Sequence, residues 1–264
     1  MKIAAVQMIS GPAVEPNLAT VSRLIAEASA MGARLVVLPE HFLSISGHDE
    51  AWVASRETPG KGPVQDFLST TAREYGVWLV GGSVPLAVPG STKAWNSCLV
   101  FDDQGRQVTR YDKMHLFHFT KGKEHYDEAA MMEAGDHVVA IDTPFGRLGL
   151  AICYDLRFPE LFRAMKGVDL LAIPAAFTDT TGRAHWETLL RARAVENQCY
   201  VVASAQGGHH PTGRVTHGNS MIVDPWGEIV ARLDKGEGVI VAELNAERLA
   251  EVRVSLPALK HRRI

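Results

Sequence analysis

The sequence holds no apolar run near the roughly 18 residues that a membrane-spanning helix needs, so no membrane association is expected. Its amino end runs straight into Ile3-Ala4-Ala5-Val6, without the basic, apolar and small-residue zones of a secretory leader. Basic charge is not in excess: 27 Lys and Arg against 30 Asp and Glu leave a net charge of −3. A nucleic-acid binder usually carries a basic domain, and none is present. The short run Lys260-His261-Arg262-Arg263 reads as a solvated tail or one docked on a partner subunit. Cysteine is scarce. Cys98, Cys153 and Cys199 are odd in number and widely spaced, which suits neither a disulfide framework nor a CxxC metal site. Free thiols in a reducing cytoplasm are expected. No linker, repeat or low-complexity segment interrupts the 264 residues, and one domain spanning 1–264 is the expected organisation.

What is present is an alternation of apolar runs and amphipathic stretches. Strands are predicted at Ile3 to Met8, Leu35 to Leu38, Val77 to Val80, Leu170 to Ile173, Tyr200 to Ala205 and Gly238 to Leu244. Helices are predicted after Asn17, from Pro63, over Pro159 to Met165 and over Trp186 to Asn197. Three hairpins are predicted: Ser97 to Phe101 with Gln107 to Tyr111, Val138 to Asp142 with Arg147 to Ile152, and Ser220 to Val223 with Ile229 to Leu233. Crossovers and hairpins together imply an α/β protein with mixed sheets, two of them stacked and covered by helices.

Three residues stand where such a fold exposes side chains. Cys153 ends an apolar strand, and Pro159 opens a helix a few residues later. A thiol at a strand-to-helix turn is open to substrate, and neighbouring backbone N–H groups favour thiolate and can donate to an oxyanion. Most free cysteines are simply small buried residues, and Cys98 and Cys199, set in apolar runs, read that way. Polar Asp155 and Arg157 directly after Cys153 are odd for a core position. Glu40 follows Leu35-Val36-Val37-Leu38-Pro39, at the strand end where open α/β sheets carry functional groups. Lys113 stands just past a hairpin strand and would be unremarkable alone.

Together, Val37-Leu38-Pro39-Glu40, Tyr111-Asp112-Lys113-Met114-His115-Leu116 and Cys153-Tyr154-Asp155-Leu156-Arg157-Phe158-Pro159-Glu160 resemble the three motifs of the nitrilase superfamily, the carbon–nitrogen hydrolases. The likeness continues through Pro174-Ala175-Ala176-Phe177, Arg191 to Asn197 and Asp224-Pro225-Trp226-Gly227. It implies a four-layer α-β-β-α sandwich. It implies Cys153 as nucleophile, Glu40 as general base, and Lys113 with the Tyr154 backbone N–H as oxyanion donors. It also implies a second glutamate, which falls on Glu128 by its spacing before Gly135-Asp136, with Asp127, Glu124 and Glu133 as competing acids. The chemistry is coherent: a thiolate attacks a weak amide electrophile, and the protonated base returns its proton to the departing amine. No metal or organic cofactor is required. His115, His118, His125 and Glu124 match no metal-binding spacing.

Finer matches, at Thr178 to Thr181, Ala184 to Glu187, Gln206 to His210 and Leu256 to Arg263, resemble the deaminated glutathione amidase branch, with omega-amidase as its neighbour. Both imply a small amide whose acyl part carries a carboxylate. Arg157 could bind that carboxylate, or form an ion pair with Glu160 or Asp155. Phe177 and Thr181 would shape the acyl pocket by the same resemblance. The loop around Gly207-Gly208-His209-His210 and Gly213 is either a substrate-contacting loop or an ordinary connector. A nitrilase, an N-carbamoyl amidohydrolase and a catalytically silent scaffold are the competing readings. The resemblance implies a homodimer or a higher homo-oligomer, and Phe158, Leu161, Phe162, Leu189 and Leu190 are expected to lie beyond one core-facing stripe.

Overall fold

The computed structural model describes residues 1–46, 49–122 and 124–263. In chain order the elements are β1 (Lys2–Gln7), α1 (Val14–Ala30), β2 (Ala33–Val37), α2 (Asp49–Ala54), α3 (Pro63–Tyr75), β3 (Trp78–Val80), β4 (Val84–Ala87), β5 (Ala94–Phe101), β6 (Gln107–Asp112), β7 (His118–Lys121), β8 (Glu124–Asp127) and β9 (Met132–Glu133). There follow β10 (Ala140–Thr143), β11 (Gly146–Leu150), α4 (Pro159–Ala164), β12 (Leu170–Ala175), α5 (Asp179–Asn197), β13 (Tyr200–Ala205), β14 (Ser220–Val223), β15 (Ile229–Leu233), β16 (Gly238–Glu243) and α6 (Ala246–Ser255).

One eight-stranded sheet runs β16-β1-β2-β3-β5-β4, with β6 and β9 also paired to β5. A six-stranded sheet runs β10-β11-β12-β13-β14-β15. Both are mixed: β1, β2 and β3 are parallel, as are β11, β12 and β13, with antiparallel neighbours outside them. The side-chain period of two sorts the first sheet into two faces. Ile3, Ala5, Leu35, Val37, Cys98 and Val100 pack with the second sheet. Ala4, Val6, Val36, Leu99 and Phe101 pack with Val21, Leu24 and Ile25 of α1 and Leu68 and Ala72 of α3. The outer face of the second sheet is covered by Leu161 and Phe162 of α4 and Trp186 and Leu190 of α5. The result is a four-layer α-β-β-α sandwich.

Several predicted boundaries shift. α1 starts at Val14, not after Asn17. Pro16 is tolerated in a first helical turn because the N–H it lacks has no intrahelical partner there. Asn17 is buried inside the helix and ties down loops, bonding Gly11 on both its N–H (2.9 Å) and its carbonyl (3.0 Å) and the Leu43 carbonyl (2.7 Å). α5 begins seven residues before the predicted Trp186, capped by Thr178. The apolar residues expected beyond the core-facing stripe do not lie there. Leu161, Phe162 and Leu190 are buried in the chain's own core, Leu189 packs partly against it, and Phe158 stacks on His115 with ring centroids 3.7 Å apart. The exposed large apolar residues include Val195, Trp226, Val254 and Leu256. No described helix is long and apolar enough to cross a membrane.

The parallel strands of both sheets end on the same side. Met8, just past β1, accepts from the Gly207 N–H just past β13 at 2.7 Å, and Gln7 accepts from the Ser220 N–H at 2.8 Å. The segments after β2, β6, β11, β12 and β13 meet on this side.

Candidate active site

Glu40 follows β2 by three residues and is only 1% exposed. Its backbone is held on both sides. Gln206 Nε2 donates to the Glu40 carbonyl at 3.0 Å, and the His41 N–H donates to Ser83 Oγ at 3.0 Å. His41 itself adopts a left-handed φ of 55°. Gly82 lets the chains pass this closely: a Cβ there would lie 2.3 Å from the Pro39 carbonyl oxygen, and its φ is 57°.

Lys113 leaves β6 with its N–H on the Asn96 carbonyl (2.9 Å) and its carbonyl on the Gly135 N–H (2.9 Å). Gly135 packs so tightly on Asp112 that a Cβ would fall 2.2 Å from the carbonyl oxygen. The Lys113 ammonium is fully buried and lies 2.9 Å from Glu40 Oε1 and 2.9 and 2.8 Å from the two Glu128 oxygens. Asn96 Nδ2 donates to the same Glu40 oxygen at 3.0 Å. Glu128 also accepts from the Phe117 N–H at 2.7 Å. The competing acids lie elsewhere: Glu124 accepts from the Thr180 hydroxyl, Asp127 lies 3.7 Å from His118, and Glu133 is exposed.

Cys153 begins a 3-10 turn, Cys153–Arg157, with a φ of 50°. Such a backbone costs a non-glycine residue of order 1–3 kcal/mol and needs support from its surroundings. Asp155 supplies that support. It is fully buried and accepts from the Ile152 N–H (2.8 Å), the Tyr111 hydroxyl (2.7 Å) and the His115 N–H (3.0 Å), with His115 Nδ1 at 2.7 Å. The Cys153 thiol meets the Glu40 carboxylate and the Ala176 backbone N–H.

The electrostatics separate these groups. Burial alone would raise the Glu40 pKa, but the Lys113 ammonium, His41 and the hydrogen bonds from Lys113 and Cys153 hold it at about 2. Burial and then the Glu40 charge push the Cys153 thiol well above its ordinary range, against the pull of Lys113. Burial and the Glu40 charge thus favour the thiol form of Cys153, where the turn alone would favour thiolate. Burial opposes the Lys113 charge, but Glu128 and Glu40 outweigh it and hold the ammonium charged. Burial raises Glu128, with the Glu40 charge adding to it against Lys113. His41, Glu40 and Glu128 are close enough to share a cation, and the Lys113 ammonium already supplies one there.

A partly enclosed pocket opens over Cys153. Glu40, Glu128, Tyr154, Arg157, Phe177 and Thr181 line it. Thr181 is in the first turn of α5, its N–H on the Thr178 hydroxyl at 3.2 Å. Arg157 forms neither ion pair proposed for it: Asp155 is engaged elsewhere, and among the described residues no carboxylate pairs with Arg157. Its guanidinium meets His185 Nδ1 at 3.1 Å and lies over the Tyr154 and Phe177 rings at 5.6 and 5.3 Å. Cys98 and Cys199 are fully buried, and their thiols are pushed up chiefly by burial. Asn96, His41, Phe117, Gln206 and Arg214 went unread in the sequence as site residues. Asn96 carried a signal, a polar residue inside the otherwise largely apolar run Ala94–Phe101.

A family model for carbon–nitrogen hydrolases matches residues 2–254. The chain belongs to the carbon–nitrogen hydrolase family. Among its relatives, the deaminated glutathione amidase of Synechocystis sp. is 42% identical over 266 residues, 98% of this chain and 97% of that protein. Omega-amidase NIT2-A of Xenopus laevis is 40% identical over 265 residues, 99% of this chain and 95% of that one. Of solved structures, Saccharomyces cerevisiae Nit3, a member of branch 10 of the nitrilase superfamily, matches with a TM-score of 0.90 at 34% identity, covering 100% of this chain and 97% of that one. The C. elegans NitFhit protein matches with a TM-score of 0.90 at 39% identity over 99% of this chain, which spans only 65% of that longer protein. As a carbon–nitrogen hydrolase, the chain carries its buried acid, lysine and thiol at the strand ends where the two sheets meet.

Proposed function

We propose that this carbon–nitrogen hydrolase is an amidase that uses Cys153 as nucleophile and cleaves a small amide whose acyl part carries a carboxylate. The observation that carries this reading is the convergence of three buried groups at the strand ends: the Cys153 thiol meets the Glu40 carboxylate, and the Lys113 ammonium lies 2.9 Å from that carboxylate and 2.8 Å from Glu128. Glu40 takes the thiol proton as sulfur attacks the carbonyl carbon. The Lys113 ammonium and the Tyr154 backbone N–H take the oxyanion. Protonated Glu40 returns the proton to nitrogen, the C–N bond breaks, and a thioester remains on Cys153. Water enters where the amine left, gives a proton to Glu40 and attacks the thioester, releasing the acid and the thiol. Glu128 holds Lys113 in place throughout. Arg157 receives the acyl carboxylate, with Phe177 and Thr181 shaping the space beside it.

The names of the relatives support a deaminated glutathione-like or 2-oxoglutaramate-like substrate. The test is turnover of such amides, with mass spectrometry of the chain for an acyl group on Cys153. Cys153→Ala is expected to lower kcat by at least about four orders of magnitude while the melting temperature holds within a few degrees. Near-wild-type turnover by this variant would refute the nucleophile.

We also place the protein in the cytoplasm, where Cys98, Cys153 and Cys199, all free, stay reduced. Residues 1–264 act as one catalytic unit. It pairs as a homodimer, a reading supported by the family resemblance and by exposed Val195, Trp226 and Leu256 around one shallow groove. A monomer by sedimentation at micromolar concentration would reject the dimer.

A further inference from the structure

The chemistry above leaves one buried imidazole of the pocket unused. His41 lines the same pocket as Cys153 and is only 5% exposed. It directly follows Glu40. Along an extended chain two successive side chains point to opposite sides, yet Glu40 and His41 both line the pocket. The left-handed φ of 55° at His41 breaks the alternation. Such a backbone costs a non-glycine residue free energy, and strain of this kind gathers at working sites. Here it is held by the bond from the His41 N–H to the fully buried Ser83, at 3.0 Å.

The ring is fixed as well. It meets the Trp52 ring edge-on, with centroids 4.9 Å apart and planes at 74°. Trp52 is itself buried, in a cluster with Val53, Ala94 and Met132. A ring nitrogen of His41 lies within 4.8 Å of a carboxylate oxygen of Glu40 and of Glu128. One oxygen atom can therefore sit at hydrogen-bond distance from His41 and Glu40 together.

Hydrolysis of the thioester needs such a second partner. Lys113 and Asn96 both bond Glu40 Oε1, at 2.9 and 3.0 Å, which leaves Oε2 to exchange the proton. A water bonded to one carboxylate oxygen alone pivots about that bond. Glu128 is committed elsewhere: its two oxygens lie 2.9 and 2.8 Å from the Lys113 ammonium, and one also takes the Phe117 N–H. Lys113 and the Tyr154 N–H serve the oxyanion, and Arg157 serves the acyl end. His41 stands beside the base that draws the proton from water.

Resting on the amidase reading above, we propose that His41 is a further catalytic residue, the second hydrogen-bond partner of the water that hydrolyses the thioester. The water gives one proton to Glu40 while its bond to His41 stops it turning, and its oxygen bonds to the carbonyl carbon. The carbon–sulfur bond then breaks, sulfur recovers the proton from Glu40, and the acid leaves. His41 exchanges no proton of its own. It acts on the second half of the reaction, because in the first half the amide itself is held by its acyl end.

The test is burst kinetics with p-nitrophenyl hydrogen glutarate, whose good leaving group makes acylation fast and leaves deacylation to limit turnover. The burst rate reports acylation and the steady rate reports deacylation. Mass spectrometry of the whole chain reports the glutaryl group on Cys153. His41→Phe keeps a ring against Trp52, and His41→Gly relieves the left-handed backbone; both remove the ring nitrogens. In each, the steady rate should fall at least about tenfold while the burst rate stays within about threefold, with KM falling alongside kcat. Burst amplitude counts folded sites, so partial loss of folded protein leaves both rates readable. A steady rate that falls by less than about threefold in either variant, or a burst rate that falls as far as the steady rate, overturns the proposal. Failure of the amidase reading shows separately: the unmodified enzyme would then give no burst and carry no glutaryl group on Cys153.

Discussion

The Tyr111 hydroxyl donates to Asp155 at 2.7 Å, joining the strand that delivers Lys113 to the turn that delivers Cys153. The same carboxylate holds the Ile152 N–H and both the N–H and ring nitrogen of His115. Asp155 thus acts as a positioning residue: it fixes the spacing of two reacting groups that lie forty residues apart in sequence. Asp155→Asn keeps the size but forces one amide edge to face donors. It should lower kcat by about 10–100-fold with little change in KM, since a small misplacement weakens the transition state more than binding. Tyr111→Phe removes one of these bonds and should show a smaller loss of the same kind. A change in KM alone would reject this role.

The Glu40→Gln substitution separates thiolate formation from catalysis. Burial raises the Cys153 thiol first, and the Glu40 charge raises it further, while Lys113 lowers it. Removing the Glu40 charge leaves Lys113 beside the sulfur, so the thiol pKa falls and thiolate becomes more populated at neutral pH. Turnover nevertheless drops by about 10²–10⁴-fold, because no base remains to carry the proton to nitrogen. Thiolate ultraviolet absorbance, followed across pH, checks the first half; Cys98 and Cys199, held high chiefly by burial, stay silent at neutral pH. A thiol that titrates no lower than in the unmodified enzyme would contradict the electrostatic account.

The sequence made the strand ends legible and the connections between them obscure. Leu35 to Leu38 and Gly149 to Ile152 are dense apolar runs, so Glu40 and Cys153 stood out at their ends. The start of α5 was hidden because Gly182 and the polar run from Thr178 to His185 carry no helical apolar face. Gly182 is there for a packing reason, since a Cβ would meet the His217 side chain at 2.2 Å. Asp155 looked out of place, but its partners Tyr111 and His115 come from another strand, and only tertiary structure brings them in. Arg214 sits in a loop rich in glycine and histidine, where nothing in the pattern tells a pocket arginine from a solvated one. The β7–β8 hairpin, which carries Tyr126 against Arg214 and Phe117, was likewise masked by its charged, two-sided polar strands.

The Lys113→Met substitution is expected to reverse the pH dependence of stability. In the unmodified protein Glu40 is held at about 2, below its ordinary 4.5. It therefore contributes stability that is present above pH 4.5 and lost as pH falls toward 2. Glu128, raised by burial and by Glu40, already opposes this in part. Without the ammonium, two adjacent buried carboxylates remain, and both are pushed up. Their contribution is then present at acid pH and lost as pH rises above 4.5. The variant should be less stable by about 3–5 kcal/mol at neutral pH and should recover on acidification. Thermal melts between about pH 4 and 8 check this, and a melting temperature that rises with pH across that window would contradict it.

Arg157 provides the test of substrate charge. Among the described residues it has no acidic partner; it rests on the Tyr154 and Phe177 rings and on His185, so its charge is uncommitted in the pocket. A guanidinium–carboxylate pair in a partly dry site contributes roughly 1.5–3 kcal/mol, the usual scale for hydrogen bonds to charged groups. Esterifying or deleting the acyl carboxylate should then lower kcat/KM by about one to two orders of magnitude. Arg157→Lys should recover little, because an ammonium offers neither the planar fork nor the broad face that lies over two rings. Arg157→Ala should remove the preference altogether, making carboxylated and esterified amides equally poor substrates. Neutral aliphatic amides, N-carbamoyl amino acids or nitriles turned over as well as the carboxylated amide by the unmodified enzyme would refute the substrate class. That outcome would leave the chemistry of Cys153, Glu40 and Lys113 intact, since none of those three groups reads the far end of the acyl chain.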